Sequence, residues 1–482
     1  MRRELLGLLA VASVVATACS APTSRGSEQL AGGEGAAGFG EAEPAPVPAQ
    51  PARVEAAPPS SLTLEQNLRP TSTSTTVAPR ESTTTAATVA RPAISSPPTT
   101  GVGPLEETEN GAESSADEPV FEADPLPPLD LSAGRRTGRR PTAPDEQEPD
   151  VPTGWAAFDQ SIHDQLLRNG NTAVSVAVSI GGDVVHSASF GTRVPGTLTA
   201  MTTADRFRIA SISKTITAIT LLQLVQEGVV GLDEPIGAQI AAHLGVTNAS
   251  AGSSRLTVRS LLTHTTGYGK YYGTFFGKGA QSCHHAGAMG VSQGGGGGGY
   301  TYSNMNYCLA GLAIETLTGR TYEEVVYEKL LTPLGLSGLR LPPTFDPGPG
   351  EVQHVSTPGR NYMETLGGAG SWIASPIDLV TIFDALDPAT PGWAPLTDAT
   401  LRQMLTPTHG QYGQRGYGMG MILYGGGRYG HTGTIENTHA MVQNRGDGVI
   451  WSVTVAGPYP DDTPRLESVI NRAFEEAGFV AG

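Results

Sequence analysis

The chain has 482 residues, a net charge of −16 at pH 7, 62 glycines, 37 prolines and three cysteines. A length of this order accommodates one large domain with appended segments. The acidic balance and the lack of a polybasic stretch argue against nucleic acid as a partner.

The first 19 residues have the pattern of an export signal. An arginine pair precedes a short apolar run, Leu5–Val15, which is too short for a comfortable membrane span. Small residues then precede Cys19, as at the cleavage site of a bacterial lipoprotein. We therefore expect residues 1–19 to be a lipoprotein-type signal peptide. A lipidated Cys19 would anchor the protein to the outer face of the cell membrane, and ordinary secretion with cleavage near Ala18 is the alternative.

Residues 20–150 have a different composition from the rest of the chain. They are rich in Pro, Ser, Thr, Ala and Glu, nearly without aromatics, and contain no lysine. Such a segment cannot bury enough apolar surface to offset its chain entropy. The composition predicts a disordered tether, which proline and charge would extend further than a Gly/Ser chain of equal length.

Residues 151–482 have the patterns of a folded domain, long enough for a substantial core. Apolar periodicity predicts helices over 155–168, 206–228, 258–268, 301–317, 322–331, 376–386 and 465–477, and strands over 174–180, 184–190, 417–424, 438–443 and 449–456. Residues 276–300, with six consecutive glycines at 294–299, are interpreted as a loop. Because strands come from both ends of the domain, we expect an α+β fold in two lobes, with a helical section inserted into an antiparallel sheet.

The first candidate site lies at the start of the predicted helix 206–228. Ser211 and Lys214 are three residues apart, about one helical turn, and therefore neighbours on one face. A serine hydroxyl becomes a good nucleophile when a nearby base takes its proton. A partly desolvated lysine can be neutral enough to do so. A serine near a helix start beside a lysine is also an ordinary structural pattern.

Two further motifs lie downstream. Tyr302, Ser303 and Asn304 stand between the glycine tract and a predicted helix, where a phenol can relay protons and an amide can bind a substrate amide. A helix cap is the structural alternative. His431-Thr432-Gly433-Thr434 follows a glycine-rich turn and is expected on an edge strand. Its polar side chains could hold a carboxylate, and the backbone N–H of Thr434 could bind an oxyanion.

In this order and spacing, the three motifs resemble those of the penicillin-recognising serine hydrolases of the class C β-lactamase type. That group includes D-alanyl-D-alanine carboxypeptidases and a branch of esterases. The related motifs of class A β-lactamases and penicillin-binding proteins are Ser-x-x-Lys, Ser-Asp-Asn and Lys-Thr-Gly. The Tyr-Ser-Asn triplet is typical of the class C branch, and His-Thr-Gly is most similar to its secreted D,D-carboxypeptidases. The resemblance implies a five-stranded antiparallel sheet flanked by helices, plus an all-helical lobe.

The resemblance also implies a role for each motif residue. Ser211 would be the acylated nucleophile, Lys214 its base or electrostatic partner, and Tyr302 the group that passes a proton to the leaving amine. Asn304 would bind the substrate amide. The substrate's carboxylate end would face His431 and Thr432, and Gly433 would allow close backbone approach. The backbone N–H groups of Ser211 and Thr434 would form the oxyanion hole. Which of Lys214 and Tyr302 is the acylation base is left open.

The implied activity is hydrolysis of D-alanyl-D-alanine peptides of the cell wall, of β-lactams, or of related amides, without a cofactor. A carboxylesterase on the same residues and a non-catalytic, penicillin-binding-like envelope protein are the alternatives. Carboxypeptidases of this branch tend to use an arginine for the terminal carboxylate. Arg428 is the one arginine found shortly before His431.

Two further patterns compete with this interpretation. Residues 290–294 match Gly-x-Ser-x-Gly, but no predicted strand precedes them, so we reject a nucleophile elbow. Cys283, His284, His285 and Cys308 could form a metal site. Export favours a Cys283–Cys308 disulfide, since this pair remains once Cys19 carries lipid; two free thiols are also possible. We predict no metal, and expect His264 to be a packed or hydrogen-bonded core histidine.

Overall fold

The structure, a computed structural model, describes residues 153–279, 281–410 and 415–479. These residues belong to one compact unit. The predictions for the signal peptide 1–19, for Cys19 and for the tether 20–150 lie outside the described residues. Within the described ranges, no helix combines the length and apolarity that a membrane crossing requires.

The described residues form twelve α-helices and ten β-strands. The helices are α1 (Trp155–Leu166), α2 (Ser213–Gln226), α3 (Gly237–His243), α4 (Val258–Leu262), α5 (Tyr272–Phe276), α6 (Cys283–Gln293), α7 (Asn304–Thr318), α8 (Tyr322–Val326), α9 (Tyr362–Leu366), α10 (Pro376–Asp384), α11 (Asp398–Met404) and α12 (Arg465–Glu476). The strands are β1 (Ala173–Ile180), β2 (Asp183–Gly191), β3 (Phe207–Arg208), β4 (Ile373–Ala374), β5 (His409–Gly410), β6 (Arg415–Tyr417), β7 (Ile422–Gly425), β8 (Arg428–Ile435), β9 (Thr438–Asn444) and β10 (Val449–Ala456).

The main sheet is antiparallel, with the strand order β2-β1-β10-β9-β8-β7-β6-β5. It has five long strands of seven to nine residues each, which are β2, β1, β10, β9 and β8. These five correspond to the predicted five-stranded sheet. Three short strands, β7, β6 and β5, extend it to eight strands. The predicted strand 417–424 is split between β6 and β7, because Gly420 has a left-handed φ of 72° that ends the extended conformation.

The first strand of the domain pairs with the last one, as the second and third strands of the sheet. β1 pairs with β10 from Ala173↔Ala456 to Ile180↔Val449, as predicted for a sheet built from both ends. Alternate residues of β10, including Trp451 and Val453, belong to a core shared with α1 and α12. There the rings of Phe158 and Phe474 lie 5.0 Å apart between centroids.

The helical section packs against the opposite face of the sheet. Of the helix predicted over 206–228, the part Ser213–Gln226 is α2, in which 12 of 14 residues are buried. The start was predicted too early, because Phe207–Arg208 form β3 and Ala210–Ile212 form a 3₁₀ turn. Such burial on all sides explains why apolar residues in α2 are not confined to one stripe.

The interpretation of residues 276–300 as a loop is wrong, because α6 lies within them. α6 contains glycines that normally disfavour a helix. These glycines allow close packing: a Cβ at Gly287 would lie 2.4 Å from Leu312 Cδ1, and one at Gly290 would lie 2.5 Å from Met305 Sδ. Ser282 also caps the helix through the backbone N–H of His285. Ser292, of the rejected Gly-x-Ser-x-Gly match, donates within the helix to the Ala288 carbonyl at 2.8 Å.

Candidate active site

Ser211 lies in a tight turn between β3 and α2. The turn is a single 3₁₀ turn, Ala210–Ile212, so Ser211 precedes the α-helix by two residues instead of opening it. Ala210 has a φ of 46°, a left-handed conformation that is uncommon for a residue other than glycine. Strain of this kind persists when surrounding contacts fix it, and it clusters at functional sites. One such contact is the bond from the Ile209 N–H to the Trp372 carbonyl, at 3.1 Å.

Lys214 reaches the nucleophile candidate from the first turn of α2. Its Nζ lies 3.0 Å from Ser211 Oγ, 2.8 Å from Asn304 Oδ1 and 2.7 Å from the Ala369 carbonyl oxygen. The lysine side chain is fully buried. Burial lowers the pKa of Lys214 well below its usual value of 10.5, since a low-dielectric surrounding disfavours the ammonium.

The three contacts of Lys214 fit a neutral amine. A neutral amine has two hydrogens to donate, and an ammonium has three. The amide oxygen of Asn304 and the carbonyl of Ala369 can only accept, so they take two hydrogens. The remaining position on Nζ faces Ser211 Oγ, whose hydroxyl can donate to a nitrogen lone pair. The geometry thus brings a base within hydrogen-bond reach of the serine proton.

Tyr302 and Asn304 are placed by the start of α7. Ser303 is the cap: its Oγ accepts from the Met305 N–H at 3.2 Å and donates to the Gly269 carbonyl at 2.7 Å. The residues on either side of this buried serine both approach Lys214. The Tyr302 ring centroid lies 4.9 Å from Lys214 Nζ. The structure therefore brings Ser211, Lys214, Tyr302 and Asn304 together around one amine.

His264, expected to be a core histidine, lies beneath Tyr302. It is fully buried, and the two ring centroids are 4.4 Å apart. His264 Nδ1 accepts from the Ser303 N–H at 3.2 Å and lies 2.9 Å from Asn306 Nδ2. Burial, with a smaller effect of Lys214, lowers the pKa of His264 well below 6.5. His264 is thus a neutral, hydrogen-bonded residue that supports the Tyr302 motif.

His431 is almost fully buried on β8. Its Nδ1 donates to the Thr432 carbonyl at 2.6 Å, so its Nε2 is left to accept from the Tyr417 hydroxyl at 3.2 Å. Burial, with a further effect of Lys214, lowers the pKa of His431 to about 3. The imidazole is therefore neutral at physiological pH. Arg428, the other cation considered for this end of the site, pairs with Glu467 at 2.8 Å.

Gly433 brings β8 against the nucleophile turn. A Cβ at this position would lie 2.1 Å from the Ile209 carbonyl oxygen and 3.1 Å from Ala210 Cβ. The strand was expected at the sheet edge, but β8 is an interior strand between β9 and β7. Its pairing with β7 covers only Arg428 to Gly430. The segment from His431 onwards therefore has β9 on one side and the turn of Ser211 on the other.

The remaining predicted residues differ in exposure. Thr432 is 8% exposed, and Thr434 is exposed with its Oγ1 hydrogen-bonded to Thr463 Oγ1. The sequence analysis missed two contributors, the Ala369 carbonyl and the Tyr417 hydroxyl. Ala369 lies in the segment GGAGSW and Tyr417 in the segment GYGMGM. A backbone carbonyl leaves no side-chain signal in a sequence.

The structure joins Cys283 and Cys308 by a disulfide, with a Cα–Cα distance of 5.7 Å. The bond connects the first residue of α6 to α7, the helix that begins with Asn304. Neither cysteine is therefore available as a metal ligand.

Comparisons with known proteins identify the family and the fold. The Beta-lactamase family model matches residues 130–473. Penicillin-binding protein 4* of Bacillus subtilis (strain 168) is 27% identical over 196 residues, which are 38% of this chain and 41% of that protein. Esterase EstB of Burkholderia gladioli is 30% identical over 115 residues, covering 24% of this chain and 29% of that protein. The chain thus spans less than half the length of these relatives.

A solved structure with a similar fold is the D-amino acid amidase from Ochrobactrum anthropi SV3 complexed with L-phenylalanine. Its TM-score is 0.54 at 22% identity, over 67% of this chain and 98% of that one. At this level of identity the comparison establishes the fold alone.

Proposed function

The chain belongs to the Beta-lactamase family, and we propose that it is a serine hydrolase that works through an acyl-enzyme on Ser211. The observation that carries the proposal is the buried Lys214, whose Nζ lies 3.0 Å from Ser211 Oγ. Burial lowers the pKa of this lysine well below 10.5. A neutral amine at hydrogen-bond distance is the base that a serine nucleophile requires.

In the acylation step, Lys214 Nζ takes the proton of Ser211 as Oγ forms a bond to the substrate carbonyl carbon. The carbon–nitrogen bond of the amide then breaks, and the leaving amine receives a proton through Tyr302. The Asn304 side chain orients the substrate amide. Backbone N–H groups of Ser211 and Thr434 bind the developing oxyanion, where one lost donor costs on the order of 100-fold or more in rate.

In the deacylation step, water attacks the acyl ester and loses a proton to the same base. The ester bond to Ser211 Oγ breaks, the oxygen regains a proton, and a carboxylic acid leaves. Gly433 supports both steps. Its lack of a side chain keeps β8, which carries the backbone N–H of Thr434, close to Ile209 and Ala210.

The preferred substrate class is peptides ending in D-alanyl-D-alanine, β-lactams or related amides. Support comes from the motif set and from the penicillin-binding relative of Bacillus subtilis. We propose a D,D-peptidase or β-lactamase-like activity on cell-wall peptides.

The test is the intact mass of the purified protein after brief exposure to a penicillin, with Ser211→Ala alongside. We expect the wild type alone to gain the mass of one opened penicillin. An adduct that persists in Ser211→Ala would contradict the assignment of the nucleophile.

A carboxylesterase is the second candidate, and the neutral His431 favours it. With the pKa of His431 lowered to about 3 and Arg428 paired with Glu467, neither residue offers a free positive charge to a substrate carboxylate. Hydrolysis of p-nitrophenyl esters without a penicillin adduct would support the esterase. If the protein reacts neither with penicillin, nor with p-nitrophenyl esters, nor with a D-alanyl-D-alanine peptide, a non-catalytic envelope binding protein would be favoured.

We further propose that the protein is exported and held on the outer face of the cell membrane through a lipidated Cys19. The apolar run before Cys19 supports this proposal. A Cys19→Ser variant should move from the membrane fraction to the soluble or secreted fraction. Equal membrane association of the variant and the wild type would contradict a lipid anchor.

A further inference from the structure

Three polar side chains from separate helices converge at the surface of the helical section. His243 is the last residue of α3, His284 the second of α6, and Glu315 lies in the last turn of α7. One ligand atom from each lies within 4.8 Å of the others. We propose that this cluster, the His243–His284–Glu315 site, binds a divalent transition-metal ion of the zinc type.

The distances suit a metal ion. His284 Nε2 lies 2.8 Å from Glu315 Oε2, and His243 Nε2 lies 3.6 Å from the same oxygen. Around tetrahedral zinc, bonds of about 2.0–2.2 Å place neighbouring ligand atoms about 3.4 Å apart. The first distance is that of a hydrogen bond and is shorter than this value, and the second is slightly longer. Small rotations of the two partly exposed histidines, His284 away from Glu315 and His243 towards it, would complete the geometry.

Glu315 is oriented for such a role. Its side chain is 12% exposed, whereas those of His243 and His284 are 34% and 58% exposed. Its Oε1 accepts from the backbone N–H of Tyr322 at 3.0 Å, which leaves Oε2 directed at both imidazoles. Outer hydrogen bonds of this kind fix metal-binding carboxylates in place.

The donor set selects the type of ion. Two imidazoles and one carboxylate suit zinc and related transition metals, with water in the fourth position. Calcium and magnesium prefer sites built from oxygen atoms. The sequence analysis considered metal only for the cysteine pair with its neighbouring histidines. The cysteines form a disulfide, and the third ligand, His243, lies 40 residues before Cys283.

The proposed role is structural and does not depend on the chemistry at Ser211. Asn304 and Glu315 are 11 residues apart on α7, which is about 16 Å along a helix. Cys308 and Glu315 are seven residues apart and lie on the same face of α7. The disulfide attaches α6 to that face, and the ion would attach α3 as well.

The experiment is calorimetric titration of Zn²⁺ into the metal-free, untagged full-length protein. We expect one site, and Zn²⁺ should also raise the melting temperature. His243→Ala, His284→Ala and Glu315→Gln should each bind at least about 100-fold more weakly. His285→Ala is the matched control, because this exposed histidine of the same helix lies outside the cluster. This variant should bind Zn²⁺ with the affinity of the wild type. Mg²⁺ titrated into the wild type should give no comparable binding.

The absence of saturable one-site binding in the wild type would overturn the proposal. Unchanged affinity in His243→Ala and His284→Ala would do so too, because the ion would then occupy another site. Both histidines are on the surface, so in the presence of a chelator these variants should have the same melting temperature as the wild type. That comparison separates lost binding from lost folding.

Discussion

At the scale of single residues, the candidate chemistry depends on the protonation of Lys214. Between its lowered folded-state pKa and 10.5, the unfolded chain holds a proton on this lysine that the folded chain does not. The burial of this group therefore destabilises the fold progressively less as pH rises through that interval, and the cost is largest below the folded-state pKa. The same loss of a proton produces the base, so activity and stability should change in the same direction with pH.

Lys214→Arg tests whether the amine acts as a base. Arginine carries a positive charge and does not deprotonate in proteins. We expect the acylation rate to fall by about 10²–10⁴-fold, and the rise of this rate with pH to disappear. The rate of adduct formation with a penicillin or ester, measured from pH 5 to 10, is the readout. Lys278→Arg, at an exposed position, is the control, and a wild-type-like pH profile in Lys214→Arg would exclude the lysine as the base.

Gly433→Ala tests the contact between β8 and the nucleophile turn. The added Cβ would lie 2.1 Å from the Ile209 carbonyl oxygen, so strand and turn must separate. The backbone N–H of Thr434 would move with the strand, and we expect acylation to slow by on the order of 100-fold or more. Gly273→Ala is the control, since its Cβ would meet nothing within 4 Å. Acylation within threefold of the wild type would show that the close approach is not required.

At the scale of elements, the disulfide connects two helices of the helical section, α6 and α7. It closes a loop with a sequence separation of 25 residues. A crosslink over such a loop stabilises a fold by about 2–4 kcal/mol, chiefly by restricting the unfolded chain. We expect Cys283→Ala/Cys308→Ala to lower the free energy of unfolding by this amount in urea titrations. Reductant should lower the free energy of unfolding of the wild type to that of the variant, and it should leave the value for the variant unchanged. Equal stability of both proteins without reductant would contradict this assignment.

The limits of sequence-based prediction are clearest at this scale. β1 and β10 could be predicted because their alternation and length are strong local signals, and α2 because its apolar run is uninterrupted. α6 could not, because Gly287 and Gly290 disfavour a helix locally and are favourable only through packing against Leu312 and Met305. The neutral state of His431 depends likewise on burial and on Lys214, which lies far from it in the sequence. A motif shows which side chain is present, and only the fold determines its charge.

At the scale of the whole molecule, the domain is closed by contacts between its two ends. β1 and β10 pair over eight residues inside the sheet, and α1 packs on α12. The backbone N–H of Gly154 donates to the Ala477 carbonyl at 3.2 Å. These contacts lie within residues 154–477, so we expect the domain to fold without the segment 20–150, for which the composition predicts disorder.

Limited trypsin digestion of the full chain tests this division. Arg135, Arg136 and Arg139 lie near the end of the predicted tether and should be cleaved first, whereas Arg208, Arg428 and Arg445 are at most 6% exposed and should be protected. The fragment from residue 140 onwards should melt at the same temperature as the intact chain and retain its rate of acylation. Resistance at the three tether arginines would indicate that the segment is folded. A lower melting temperature of the fragment would mean that residues before 140 stabilise the domain. The N-terminal boundary of the domain would then lie before residue 140.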